Sequence, residues 1–408
     1  DKIISIDQRS RQQSDKPNLE GFDIIYGTPW ERVFLDESQR IANPDTWSYK
    51  CIMAIYGKYK WCLTGTPVKN YDTDIWAQFR FCGYNGVDKK LVWSRGYMEY
   101  FEKHRLKKAI LNINYDGTNI NLPQKTEESK FVKFGMIEEL CYDIVQKKTI
   151  DTFERAFGGE CDFASVLALF TRLRQCCIAP YLITSESKRE KNPKILKDEK
   201  SATNIILENL STDGKIERWI HDRDGTAGIQ SSKMKEILSV ISSIPPSEKI
   251  LIFSNFTSVL DLLAYGIKKT IVDFKFEQLD GDTKFDDREK ILGKFKNPDG
   301  GVRGLLMTYK VGSEGLNLVE ANHVICIEPW WTPSVPKQAV YRCYRTGQEK
   351  NVYVYNILVS NSIEERVLKV SKGKEGLSDE ILKETKHVDP NSFKLDKLTL
   401  GKILGIYS

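Results

Sequence analysis

The 408-residue sequence predicts an α/β protein of two parallel-sheet lobes with helical insertions. Three observations predict it. Short apolar runs end in polar motifs: Val33-Phe34-Leu35 leads into Asp36-Glu37, and Trp61-Cys62-Leu63 into Thr64-Gly65-Thr66-Pro67. Open α/β sheets place their ligands beyond the carboxyl ends of buried strands in this way. Between residues 232 and 370, apolar runs of strand length alternate with segments of helical period, the pattern of a second parallel sheet. The length also suits two domains, each able to bury a core.

Taken in order, the runs at 33–35 and 61–63 read as short buried strands. From 74 to about 111 the pattern is helical and rich in aromatics. Trp76, Phe79, Phe81, Trp93, Tyr97, Tyr100 and Phe101 mostly serve a core, as aromatic stripes at helical spacing do. After Leu122-Pro123-Gln124-Lys125 a strand is expected over 128–134, then helices over 137–149 and 163–176. These complete a first lobe at 1–183. Residues 184–230 read as a linker or insertion. The run 188–200 holds six basic and three acidic residues, and Asp213-Gly214 and Asp224-Gly225 mark turns. Such a mixed run reads as a solvated linker before a DNA contact.

The second lobe is expected at 231–370. A helix from Ser232-Lys233 stops at Pro245-Pro246, and strands follow at 249–253, 276–279, 304–308 and 323–328. Helices at 256–265 and 286–295 separate them. A closing segment, 371–408, is charged and then mildly apolar.

Composition narrows the class. Hydrophobic residues at 40% and charged residues at 29% describe an ordinary globular chain. A net charge of +5 permits nucleic-acid contact without arguing for it. No apolar run reaches membrane-spanning length, and Asp1-Lys2-Ile3-Ile4 does not read as a signal peptide. The nine cysteines form no Cys-x-x-Cys pair and the four histidines are scattered, which argues against zinc. Mostly apolar neighbours point to reduced, buried thiols in a cytosolic or nuclear protein.

The chemistry-bearing residues lie where the strands end. Asp36 would hold magnesium through water, because that ion prefers oxygen ligands and keeps much of its hydration shell. Glu37 would orient and polarise an attacking water. In Gln338-Ala339-Val340-Tyr341-Arg342-Cys343-Tyr344-Arg345-Thr346-Gly347-Gln348, Arg342 and Arg345 are expected on one helix face before a Thr-Gly stop. Their guanidinium forks suit a polyphosphate. Gly312-Ser313-Glu314-Gly315-Leu316-Asn317-Leu318 is a glycine-punctuated polar turn between apolar runs.

Together these segments resemble the Swi/Snf family of helicase-like ATPases in helicase superfamily two. The span 35–43 is similar to motif II and 63–70 to motif III. Leu122–Lys125 and 173–180 are similar to inter-motif segments. The span 250–255 is similar to motif IV, 312–318 to motif V and 338–348 to motif VI. Trp61 and the double tryptophan of Glu328-Pro329-Trp330-Trp331-Thr332-Pro333 resemble the branch of lodestar and helicase-like transcription factor, and compact viral global transactivators are a further candidate.

The resemblance implies two RecA-like lobes, the first incomplete at its N-terminal side, with ATP and Mg2+ between them. It implies translocation on double-stranded DNA through phosphate contacts, without sequence reading. Nucleosomes or the transcription machinery would be partners, in the nucleus or a viral factory. Asp36, Glu37, Arg342 and Arg345 would be catalytic, and Gln39, Gly315 and Gln338 would meet the nucleotide. Thr64, Gly65, Thr66, Ser254, Asn255, Ser313 and Glu314 would contact or couple to DNA.

The sequence departs from the family at three places. No Gly-x-x-x-x-Gly-Lys-[Ser/Thr] occurs, so the phosphate-binding lysine is expected upstream of Asp1. Gln39 stands where the family has histidine, and can hydrogen-bond but not titrate. The family's Leu-Arg-Arg is replaced near Leu111-Asn112-Ile113. A non-hydrolysing DNA-binding regulatory module that keeps the fold therefore stays open as the alternative.

Overall fold

The computed structural model describes residues 23–64, 74–83, 122–158, 163–184, 229–298, 301–312, 315–372 and 397–406. It falls into two units, one holding residues 1–118 and 374–397 and the other 119–373 and 398–408. The expectations for Trp93 to Phe101, for Leu111-Asn112-Ile113 and for most of the linker lie outside the described residues.

In the first unit, α1 (Asp23–Gly27), β1 (Trp30–Asp36), a 3-10 turn (Ser38–Ile41), α2 (Trp47–Met53), β2 (Gly57–Leu63) and α3 (Asp74–Phe81) follow in order. β1 and β2 pair in parallel, with Phe34 opposite Trp61 and Asp36 opposite Leu63. Strand side chains alternate between faces. Val33, Leu35 and Cys62 therefore turn to a core of Ile41, Ile52, Ile55 and Phe81. Phe34 and Trp61 take the other face, stack at 5.8 Å, and remain 58% and 47% exposed. The strands are where the sequence places them, but only one of their faces is buried.

The second unit is built on six parallel strands: β3 (Lys125–Val132), β4 (Ile250–Ser254), β5 (Lys275–Leu279), β6 (Val302–Thr308), β7 (His323–Cys326) and β8 (Val352–Val359). Their order across the sheet is β3-β8-β7-β4-β6-β5. Its helices are α4 (Met136–Phe157), α5 (Phe163–Ile178), α6 (Tyr181–Thr184), α7 (Ser232–Ser243), α8 (Thr257–Thr270), α9 (Phe285–Lys296), α10 (Tyr309–Gly312), α11 (Ser334–Val340), α12 (363–372) and α13 (Lys397–Leu404).

β4 shows why its run is apolar without interruption. Ile250 and Ile252 join a core with Ile237, Ile241, Val259 and Leu263 of α7 and α8. Leu251 and Phe253 join a second core with Phe295, Ala339 and Val340 of α9 and α11. A strand covered on both faces has no polar alternation to show.

β3 has a partner distant in sequence. Its segment reads in sequence as part of the first lobe, yet it pairs with β8 from Lys125–Val352 to Val132–Val359. α4 carries Tyr142, whose hydroxyl accepts from Ile363 N at 2.7 Å, so α4 also belongs to the second unit. β3 is the sheet's edge, and its Lys-Thr-Glu-Glu-Ser-Lys stretch is mostly exposed, as edge strands tend to be.

Two buried polar ties fix the helices. Glu138 of α4 accepts from Ser232 N at 2.7 Å and from Ser232 Oγ at 2.5 Å. Lys233 of α7 and Glu364 of α12 form an ion pair at 2.5 Å with both side chains 1% exposed. Glu364 also accepts from Val359 N at 2.9 Å. Removing one partner of such a pair strands a buried charge, whereas replacing both is often neutral. Lys233→Met should cost about 3–5 kcal/mol in chemical denaturation. The double change with Glu364→Leu should recover most of that loss.

Candidate nucleotide and coupling site

In the first unit the site begins at the carboxyl end of β1. Asp36 Oδ1 accepts from Glu37 N at 2.9 Å. Glu37 is left-handed, with φ 50° and ψ 47°, which costs a non-glycine residue roughly 1–2 kcal/mol. That turn brings Gln39 back on Glu37: Gln39 Nε2 donates to Glu37 Oε2 at 2.5 Å. Thr64 Oγ1, at the end of β2, donates to Gln39 Oε1 at 2.5 Å. The side-chain amide thus links the two strand ends, Thr64 to Gln39 to Glu37. Beneath it, buried Ser38 donates to Gln78 Oε1 at 2.8 Å. Among the described residues, Asp36 Oδ2 and Glu37 Oε1 carry no protein donor. An exposed carboxylate with one oxygen pinned and one open fits a hydrated magnesium ion. Gly65 and Thr66 lie outside the described residues.

In the second unit the carboxyl edge of the sheet gathers three loops. After β4, Ser254 Oγ donates to Glu328, with its two oxygens at 3.2 and 3.1 Å, and Asn255 donates to the same carboxylate through its backbone N–H and, at 2.9 Å, its side chain. Ser254 is 0% exposed, so a direct contact with DNA is not open to it. It anchors Glu328 instead. Burial pushes the Glu328 carboxyl up, against the pull of nearby Arg174. Arg174 of α5 is buried too, and that burial lowers its guanidinium against the opposing pull of Glu328. It donates to Pro329 O at 3.1 Å and lies 4.7 Å from the Trp330 ring and 5.2 Å from those of Phe256 and Trp331. The two tryptophans stack at 3.8 Å.

The third part joins the loop from Gly315 to the segment holding Arg342 and Arg345. Ser313 and Glu314 lie outside the described residues. Gly315 has φ +68°, a conformation that favours glycine. Leu318 N donates to Arg342 O at 2.9 Å, and Arg345 Nη1 approaches Leu316 O at 3.5 Å. Gln348, 6% exposed, points its Nε2 at three carbonyls: Val319 at 3.0 Å, Ala321 at 2.8 Å and Cys343 at 3.1 Å.

Gln338 lies on α11, but that helix ends at Val340. Arg342 and Arg345 therefore occupy successive turns rather than one helical face, which corrects the sequence expectation. The backbone bonds show the change: Arg342 N donates to Ala339 O at 3.2 Å and Arg345 N to Cys343 O at 3.1 Å. The Arg342 carbonyl is taken by Leu318 N, and Gly347 adopts φ +99°. Arg342 is half-buried and Arg345 exposed.

Sequence reasoning missed Arg174, Glu328 and Gln348 as organisers. Arg174 left a signal: it interrupts the apolar run of α5, and a charge there demands a partner. Among the described residues no cluster of His, Cys, Asp or Glu could hold a metal by itself, and no helix is long and apolar enough to cross a membrane.

Residues 13–182 match the SNF2-related domain and residues 232–347 the helicase conserved C-terminal domain. The chain is 44% identical to "Putative helicase 172L" of Invertebrate iridescent virus 6, over 99% of its own length and 70% of that protein. It is 26% identical to "Putative ATP-dependent helicase/translocase YwqA" of Bacillus subtilis, covering 86% of the chain and 36% of the relative. The "Probable global transactivator" of Orgyia pseudotsugata multicapsid polyhedrosis virus is 28% identical over 85% of the chain and 65% of the relative. The chain belongs to the SNF2-related, Swi/Snf family of superfamily-two helicase-like ATPases.

Two outcomes follow from the hydrogen bonds. Thr64→Ala and Gln39→Ala remove parts of one chain of contacts, so their stability costs should be non-additive by about 0.5–3 kcal/mol in a double-mutant cycle. Gln348→Ala should cost about 1–3 kcal/mol in thermal or chemical unfolding, the range for stranding buried acceptors. Gln348→Glu should cost more, because a carboxylate would then face three carbonyl oxygens.

Proposed function

We propose that this chain is the motor part of an ATP-dependent translocase on double-stranded DNA, acting to remodel protein–DNA complexes. The observation that carries the reading is the chain Thr64–Gln39–Glu37, which joins the acidic pair to the end of β2. Nothing about sheet packing requires an Asp-Glu pair held in this manner. Family membership supports the same reading.

In this mechanism Glu37 orients the attacking water through Oε1, while Gln39 pins Oε2. Asp36 would hold Mg2+ through water by its open oxygen, and the ion supplies charge neutralisation for ATP when bound. Gln39 is neutral at all working pH, so the link to Thr64 passes orientation and never a net proton. Gly315 and Gln338 would face the nucleotide. Arg342 and Arg345 would meet charge developing on the transferred phosphoryl group, where planar forks match phosphate oxygens. Thr64, Gly65, Thr66, Asn255, Ser313 and Glu314 would couple this chemistry to DNA. Phosphate contacts give non-specific, salt-sensitive binding. Nucleosomes or transcription complexes in a nucleus or viral factory are the proposed setting.

The test uses the protein at its natural full length, with ATP turnover measured with and without duplex DNA. Glu37→Gln and Arg345→Ala should each abolish the DNA-stimulated rate. The arginine change should cost about 10³–10⁵-fold, the range for arginine fingers. Arg345→Lys should not rescue it, since an ammonium lacks the planar fork. Thermal stability and DNA affinity should stay near wild type. Near-wild-type turnover in Arg345→Ala would instead leave a non-hydrolysing DNA-binding module.

A further inference from the structure

Cys62 and Cys82 stand apart from the other described cysteines. Cys62 lies on β2, two residues before Thr64, and Cys82 directly follows α3. Their sulfurs are 3.7 Å apart. Both residues are half-buried, within reach of a small solute, whereas Cys141, Cys176, Cys177, Cys326 and Cys343 are buried. Cys51 is as exposed as the pair but has no thiol beside it among the described residues.

The surroundings make the two sulfurs unequal. Hydrogen bonding with Cys62 holds the Cys82 thiol below its usual range against the effect of burial, and the Lys60 ammonium adds to it. The Cys62 thiol is pushed up by the same hydrogen bond and by burial. Lys60 is kept at hand by its position over the Phe81 ring, 5.0 Å away. The thiolate is the reactive form of cysteine, and two sulfurs 3.7 Å apart give an oxidised one a neighbour able to resolve it.

We propose that Cys62 and Cys82 form a modification site that reacts with a hydroperoxide and closes to a disulfide. The Cys82 thiolate attacks one peroxide oxygen, the O–O bond breaks, and hydroxide (or alkoxide) leaves with the electron pair. Cys82 becomes a sulfenic acid. The Cys62 sulfur then attacks the Cys82 sulfur, its proton joins the departing hydroxide, and water leaves. Two thiols lose two electrons, and the peroxide is reduced. Closing 3.7 Å to a bonded distance of about 2.05 Å asks the two sulfurs to move toward one another.

The position gives the cross-link a consequence. Cys62 Sγ approaches the Gln78 carbonyl at 3.7 Å, and Gln78 holds Ser38. A bond at Cys62 would tie β2 to the end of α3, immediately beside the Thr64–Gln39–Glu37 link. In the proposed motor, oxidation should therefore depress turnover reversibly. That second effect rests on the proposed function, whereas the cross-link itself does not.

The experiment treats the reduced protein with hydrogen peroxide, alkylates it, and maps its peptides by mass spectrometry. A Cys62–Cys82 cross-linked peptide, two hydrogens lighter than its parts and released by dithiothreitol, is expected, with Cys51 still alkylated. In Cys62→Ser, Cys82 should be trapped as a sulfenic acid by dimedone, and the cross-link should vanish. Oxidation of Cys51 ahead of the pair, or oxygen addition to wild-type Cys82 without the cross-link, would overturn the proposal. If the cross-link forms and turnover is unchanged, the site stands and its link to the motor falls.

Discussion

The common direction and level register of β4, β6 and β7 is the constraint on which the second unit depends. Ser254 lies opposite Thr308, Phe253 opposite Cys326, and Ile327 N donates to Phe253 O at 3.0 Å. Three chain segments thus leave the sheet at one height, and their loops meet there. The core enforces this, because β4 is packed on both faces. A one-residue slip would exchange the Ile250 and Ile252 set for the Leu251 and Phe253 set and put each against the wrong core. The tolerance is small: a Cβ on Gly312 would lie 2.5 Å from the Phe253 ring. Apolar packing therefore sets where Ser254, Asn255 and Glu328 meet.

What could be read from the sequence follows from the same physics. β4, β6 and β7 were legible because doubly covered strands are unbroken apolar runs set between helical periods. β1 and β2 were legible as strands, but their burial was not, since the sequence says nothing of how many faces are covered. The pairing of β3 could not be read, because its partner β8 lies 227 residues further on and its exposed edge carries no apolar pattern. The acidic pair, the threonine after β2 and the arginines stand out in the sequence by residue type and by their place after apolar runs. Gln39 stands out too, but not its bonds to Thr64 and Glu37, because a glutamine shows no periodicity that betrays what it bonds. Helical spacing suggested one face for Arg342 and Arg345, but beyond Val340 the backbone turns instead, with Arg342 N donating to Ala339 O and Arg345 N to Cys343 O.

Two sets of buried charges hold the second unit in different ways. Lys233 and Glu364 satisfy each other directly, and Val359 N occupies one of the remaining carboxylate positions. Arg174 and Glu328 are attracted at longer range. Arg174 spends its charge on three aromatic faces and a carbonyl, while Glu328 collects Ser254 and Asn255. Burying ions contributes little net stability, since desolvation offsets much of the attraction. What these ions supply is direction. Lys233 can meet Glu364 in only one relation of α7 to α12, and Arg174 beneath Trp330 and Trp331 fixes the loop after β7.

The connectors nearest the proposed chemistry are amides, and that choice has consequences. Gln39 donates with one end and accepts with the other, so a single residue can join a carboxylate to a hydroxyl. Gln348 turns its donor end to Val319, Ala321 and Cys343 and its acceptor end to Lys350 N at 2.9 Å. A histidine at position 39 could serve as donor and acceptor only in its neutral form, and protonation would remove the acceptor. An amide keeps both across the physiological pH range. The contact between Thr64 and Glu37 through Gln39 thereby does not depend on the protonation of its middle member. Glu37 is also held in a left-handed turn, so its carboxylate is positioned by its backbone as well as by Gln39.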